Sequence, residues 1–179
     1  MQEAVDFMEE ADALAAILAP LKDADFTHQT LFKGWSINDV IGHLYMFDVA
    51  AAKTLGSGTA FEAFFAPILE RLNAGQTLRE AQMPWLNGLV GVELRERWYE
   101  NTKVVAAAYG RADPKQRLKW AGPNMSARSS ITARQMETWA HGQEVFDLLG
   151  KARTEQDRIR NIVHLGVGTH GWTFVNRGQ

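Results

Sequence analysis

Apolar residues recur at intervals of three and four along most of the chain, and alternating β-branched runs are scarce, so the pattern predicts an all-α protein. The first helix is expected over Gln2 to Leu18, with Val5, Met8, Leu14, Ile17 and Leu18 on its buried face and Pro20 closing it. A polar connector carrying Phe26, Thr27 and Phe32 leads to Gly34-Trp35-Ser36. Ser36 is a good N-cap, and Asp39, three residues on, completes a capping box, so the second helix runs from Ile37 to about Leu55, stopped by Gly56 and Gly58. A third helix follows from about Thr59 to Asn73, then a short amphipathic piece to Met83, with Pro84 to Gly91 read as a loop or bend.

A longer helix is expected from Val92 to Tyr109, with Leu94, Trp98, Val105 and Tyr109 in the core. Gly110 to Arg128 reads as irregular. The next helix starts at a cap on Ser129 or Ser130 and ends at Gly150. Thr154 is expected to cap a last helix carrying Ile159, Ile162, Val163, Leu165 and Val167. Four main helices with short additions predict a four-helix bundle, in which sites are built from side chains on facing helices. There is no internal repeat or low-complexity tract, and 179 residues suit a single domain over positions 1–179.

Charge narrows the partners. The formal net charge is -2, with acidic and basic residues mixed and no Lys/Arg stripe, which argues against nucleic acid. No apolar stretch approaches the ~20 residues of a membrane span, and the acidic N-terminus is unlike a signal peptide, so a cytoplasmic location is expected. Aromatic residues near Phe61 to Phe65 suggest a surface for a homodimer. Cysteine is absent. A metal must then use His, Asp or Glu, and any thiol chemistry must use a thiol from outside the protein.

The segment from Ser130 to Glu144 contains Glu137 and His141, four residues apart. On a helix they lie about 40° apart around the axis and about 6 Å along it, close enough to share one ion. His43, mid-way along the second helix, would face the same cavity from an antiparallel neighbour. Two histidines and one carboxylate suit Zn²⁺ with a fourth position open, or Fe²⁺ or Ni²⁺. Glu-x-x-x-His is also common as an ordinary helix pair, but Met136 and Trp139 make this helix partly buried, where an uncompensated carboxylate is costly.

The run Gly34-Trp35-Ser36-Ile37-Asn38-Asp39-Val40-Ile41-Gly42-His43-Leu44 resembles the first signature of the mycothiol-dependent maleylpyruvate isomerase N-terminal domain, a branch of the DinB-like superfamily. The run from Arg134 to Val145 is similar to its second, and the resemblance extends to Trp120–Ser126 and the last helix. It implies an up-down four-helix bundle with a divalent metal, usually zinc, on His43, Glu137 and His141. It also implies a C-terminal α/β domain in full-length members, which this chain is expected to lack.

An open position on such a metal can bind a thiol and lower its pKa. The expected partners are therefore a low-molecular-weight thiol and an electrophilic substrate, in an isomerase or an S-transferase. A metal-dependent hydrolase and a metal-binding or regulatory module without turnover are the alternatives. Glu144 shares the helix face of Glu137 and is a candidate ligand-orienting group or base. Trp35, Trp120 and Met125 are candidates for the cavity mouth, and Arg128 and Arg134 for an anionic substrate.

Overall fold

The structure, a computed structural model, describes the backbone of residues 1–176 and side chains as far as Gly171. Seven helices are present among these: α1 (Gln2–Leu18), α2 (Ile37–Gly56), α3 (Gly58–Asn73), α4 (Leu78–Leu86), α5 (Gly91–Arg111), α6 (Ala127–Leu148) and α7 (Arg160–Asn176). Two two-residue strands, β1 (Arg117–Leu118) and β2 (Met125–Ser126), pair antiparallel before α6.

Helices α1, α2, α5 and α6 form the expected bundle, with α1 and α2 diagonal and each packed on both α5 and α6. Cross-contacts give the directions. Asn38 meets Gly91, Asp48 meets Thr102 and Ala51 meets Tyr109, so α2 and α5 run parallel. Asp12 meets Tyr99 and Met1 meets Gly110, so α1 opposes α5. The order is up, down, down, up, because α3 and α4 carry the chain back to the end where α2 began. The antiparallel neighbours are therefore α1 with α5 and α2 with α6, and the second pair shares the functional side chains described below.

The core follows the apolar spacing. Leu14, Leu18, Ile37, Val40, Ile41, Leu44, Leu94 and Trp98 form one fully buried cluster. The four residues expected in the core of α5 are all buried. On α1 the buried face is Ala4, Phe7, Ala11, Leu14 and Leu18, so Phe7 takes the place expected for Val5, which is exposed. Phe61 and Phe65 are buried, and Phe61 stacks on Trp120 inside the chain. They are not the exposed aromatic surface expected for self-association. Glycine decides one contact: Gly42 lies so close to Leu86 that a β-carbon there would come within 2.6 Å of Leu86 Cδ1. That closeness seats α4 over the first half of α2, where Gln82 and Arg79 also reach Asp39.

Several boundaries differ from expectation. The helix α4 continues through Pro84, which is exposed, and ends with Asn87 in the left-handed region (φ 49°). The cap of α6 is Ser126, whose side chain accepts from the Ser129 N–H, because the β1–β2 pairing delivers the chain to the helix three residues early. Thr154 caps nothing, since α7 begins at Arg160 after a 3-10 turn at Asp157–Ile159. The connector is instead pinned by charge. Glu10, buried on α1, takes Arg153 on one carboxylate oxygen and Arg158 on the other, the latter at 2.8 Å. Asp6, one turn earlier, receives Asn161. On α7, Val163 and Val167 are exposed rather than buried. Among the described residues no helix is long and apolar enough to cross a membrane.

Candidate metal centre

The first part of the site is set by a helix start. Ser36 Oγ accepts from the Asp39 N–H at 3.2 Å, and Asp39 Oδ2 accepts from the Ser36 N–H at 2.8 Å. The other Asp39 oxygen meets Arg79 at 3.0 Å, so Asp39 is committed to the cap and to α4 rather than to His43. This start fixes the rotation of α2 and turns His43 inward, where it is buried. Gly34, at φ +67°, makes the preceding turn that lays Trp35 against the site.

The second part comes from α6. Glu137 Oε2 lies 3.1 Å from His43 Nε2 and 3.3 Å from His141 Nε2. One ligand atom from each of the three residues falls within 4.8 Å of the others. A tetrahedral ion with bonds of about 2.0–2.2 Å separates its donors by about 3.4 Å, so the set fits a divalent cation with little movement. Two nitrogens and one oxygen are also a donor set of the right chemistry for Zn²⁺, Fe²⁺ or Ni²⁺.

Aromatic residues hold the rings. Trp35 stacks on His141 (5.8 Å, 5° between planes) and presents an edge to His43 at 5.5 Å. Phe47 packs on His43 at 4.8 Å and Phe32 on His141 at 5.1 Å. Metal-ligating histidines usually donate their second nitrogen to a carboxylate or carbonyl. Here His43 Nδ1 is buried without a partner among the described residues, and ring packing does that orienting work.

The electrostatics follow from burial and pairing. Desolvation lowers His43 to about 4, outweighing its hydrogen bond to Glu137, so its imidazole is neutral at physiological pH. Burial alone would raise Glu137, but hydrogen bonds to His141 and His43 and the nearby Arg134 charge hold it well below the usual carboxylate range. Behind the site Arg134 Nε sits 3.2 Å from Asp48 Oδ1, with both side chains buried. Burial pushes Asp48 up to about 6 despite Arg134 and the Thr102 hydroxyl, so the pair does not recover the full cost of desolvating the carboxylate.

The three donors open on a cavity of about 680 Å³. Phe32, Trp35, Phe47 and Trp120 form its apolar walls, and Lys33, Arg79 and Arg134 bring cationic groups. Trp35 and Trp120 are part of this lining, and three other candidates are not. Met125 lies on β2, paired with Leu118, outside the cavity lining. Arg128 is nine residues before Glu137, half a turn away around α6, and pairs with Glu3 at 3.1 Å beside a separate depression next to α7. Glu144 shares the helix face of Glu137 but lies about 10.5 Å farther along the axis, beyond the cavity lining. Arg134 is one turn from Glu137 and lines the cavity as a buried residue, not a surface one. Phe47, four residues after His43, carried a helix-period signal that pointed to it. Arg79, Lys33 and Asp48 carried none.

A family model described as the mycothiol maleylpyruvate isomerase N-terminal domain matches residues 7–146. Two curated proteins of Mycobacterium tuberculosis, from the CDC 1551 / Oshkosh and H37Rv strains and both described as uncharacterized, are 35% identical over 176 residues. The match covers 95% of this chain and 65% of each relative, so the chain spans less than two thirds of their length. Among solved structures, a mycothiol-dependent maleylpyruvate isomerase aligns with a TM-score of 0.60 and 15% identity, covering 80% of this chain and 59% of that one. A mutant of that isomerase aligns at 0.62 and 15%, covering 86% and 61%. At that identity the likeness is one of fold.

Proposed function

The chain belongs to the mycothiol maleylpyruvate isomerase N-terminal domain family, and we propose that it is a metal-dependent domain in which an external low-molecular-weight thiol reacts with a small electrophile. The observation that carries this reading is the convergence of His43, Glu137 and His141 on one wall of an aromatic-lined cavity, in a chain with no cysteine. The three residues would hold a divalent ion, for which Zn²⁺ is our first choice over Ni²⁺ or Fe²⁺. Such an ion supplies Lewis acidity that lowers the pKa of a bound thiol toward neutrality.

The protein's own groups divide the remaining work. His43, kept neutral by burial, would offer its Nε2 lone pair to the ion in the tautomer that carries the proton on Nδ1, the ion displacing the hydrogen bond to Glu137. Glu137, held far below its ordinary range, is a poor proton acceptor and contributes negative charge rather than base catalysis. Trp35, Phe32 and Phe47 fix the imidazoles and give the reacting face an apolar wall. A thiolate added there to an electron-poor double bond permits rotation about the resulting single bond. If it then leaves, the reaction is an isomerisation; if the adduct takes a proton and departs, it is an S-transfer. A cytoplasmic setting, in which small thiols stay reduced, suits either outcome.

The test is conjugation or isomerisation of a generic electrophile with a panel of thiols that includes mycothiol, before and after chelation and with Zn²⁺ restored. Rates that fall on chelation and return with Zn²⁺ are expected for at least one thiol. Bound metal with no turnover for any thiol would favour a binding module. Metal-dependent ester hydrolysis without a thiol would favour a hydrolase.

A further inference from the structure

Arg134 has a donor that the protein leaves unused. Its side chain is only 4% exposed, yet the residue lines the cavity one turn of α6 before Glu137. The guanidinium lies over the Phe47 ring, 5.5 Å from its centroid, and Phe47 in turn packs on His43. Its Nε faces Asp48, and Nη2 is buried with no hydrogen-bond partner among the described residues. A guanidinium carries five donors in a rigid planar fork, so one carboxylate set against Nε leaves most of that fork for a second planar acceptor.

We propose that Arg134 is the anion-recognition residue of the cavity, reading a carboxylate of the bound small molecule beside the three-donor centre. This rests on the proposed function only in taking the cavity as the ligand site. Asp48 already balances the Arg134 charge, and Glu137 adds a negative charge one turn away. The match is one of shape: a planar carboxylate fits the part of the fork that Asp48 leaves free. The pair is also rigid. Asp48 is fully buried and held by the Thr102 hydroxyl at 3.3 Å, so Arg134 is oriented before any ligand arrives.

The experiment is calorimetric titration of the whole chain with succinate and with uncharged succinamide as probes, on the protein as purified and after chelation. Quenching of tryptophan fluorescence serves as a second readout, since Trp35 and Trp120 line the cavity. Two variants are compared with wild type. Asp48→Asn with Arg134→Gln removes both buried charges together, and Arg134→Lys keeps the charge but loses the fork. Succinate should bind the wild type and succinamide should not. The double variant should bind succinate about 10- to 100-fold more weakly, the range of a charge-assisted hydrogen bond, with Arg134→Lys between. Unchanged metal content and circular dichroism in the double variant would show the loss to be local. The proposal is overturned if wild type fails to bind succinate, if succinamide binds equally well, or if the double variant binds within twofold of wild type. It is also overturned if chelation alone abolishes binding, which would assign the anion to the ion. Metal content and thiol turnover are measured separately, so the metal reading can fail while this one stands.

Discussion

Replacing His141 by alanine removes one of three donors that lie within 4.8 Å of one another, and it also removes the ring stacked on Trp35. These two losses can be separated. The stacking is worth about 0.5–1.5 kcal/mol and acts on the fold whether or not metal is present. The donor acts only through metal. Four-ligand zinc sites bind with about 10–16 kcal/mol, so one ligand is worth about 3 kcal/mol, or a ~100-fold weaker affinity. With metal held at about 1,000 times the wild-type Kd, binding stabilises the fold by about 4 kcal/mol, and a ~100-fold loss leaves about 1.4 kcal/mol. At about 2–4 °C per kcal/mol for a chain of this size, chelation should lower the wild-type Tm by about 8–16 °C and that of His141→Ala by only about 3–6 °C. The assay is thermal unfolding with and without chelator, beside elemental analysis of protein purified without added metal. A variant that carries as much metal as wild type and shows the same chelator shift would refute the assignment of His141 as a ligand.

Other perturbations reach the framework of the site. Asp48→Ala leaves Arg134 buried without its counter-charge, which should cost about 3–5 kcal/mol and show as a Tm loss of at least 6 °C; an equal Tm would mean that Arg134 finds another partner. Ser36→Ala removes the cap of α2 and should cost about 1 kcal/mol, measured by urea unfolding, with an effect on metal content smaller than that of His141→Ala. Tyr109, raised by burial to about 12, gives stability that is complete below pH 10 and is lost as pH rises from there toward 12. The loss should be about 1.4 kcal/mol per pH unit across that window, and in Tyr109→Phe the slope should flatten; parallel curves would reject the linkage.

What could be read in the sequence was mostly local chemistry. The box at Ser36 and Asp39 is complete within four residues, and its cap geometry is the one found. Leu94, Trp98, Val105 and Tyr109 follow from helical period alone, as does the pairing of Glu137 with His141. His43 needed one tertiary assumption, that its helix opposes α6, and the structure has that arrangement. The residues missed depend on contacts across the fold. Arg79 reaches the cavity from α4, and Asp48 is recognisable only by what α5 and α6 set against it. Thr154 failed as a cap because Arg153, beside it, is drawn to Glu10 and stretches the connector past the position where a helix would start. Arg128 reads in the sequence as the end of an irregular stretch, but the earlier cap puts it in the first turn of α6, nine residues before Glu137 and so half a turn away around the helix.

The clasp between Glu10 and the two arginines, 143 and 148 positions away, also bears on where this unit ends. The family match stops at residue 146, but a chain cut there would strand a buried carboxylate on α1 and leave Asp6 without Asn161. By physical criteria the connector belongs to the bundle through at least Asn161, and a truncated domain for expression should keep it. The first helix completes its partnerships only once Asn161 has been made, after all four bundle helices have been synthesised.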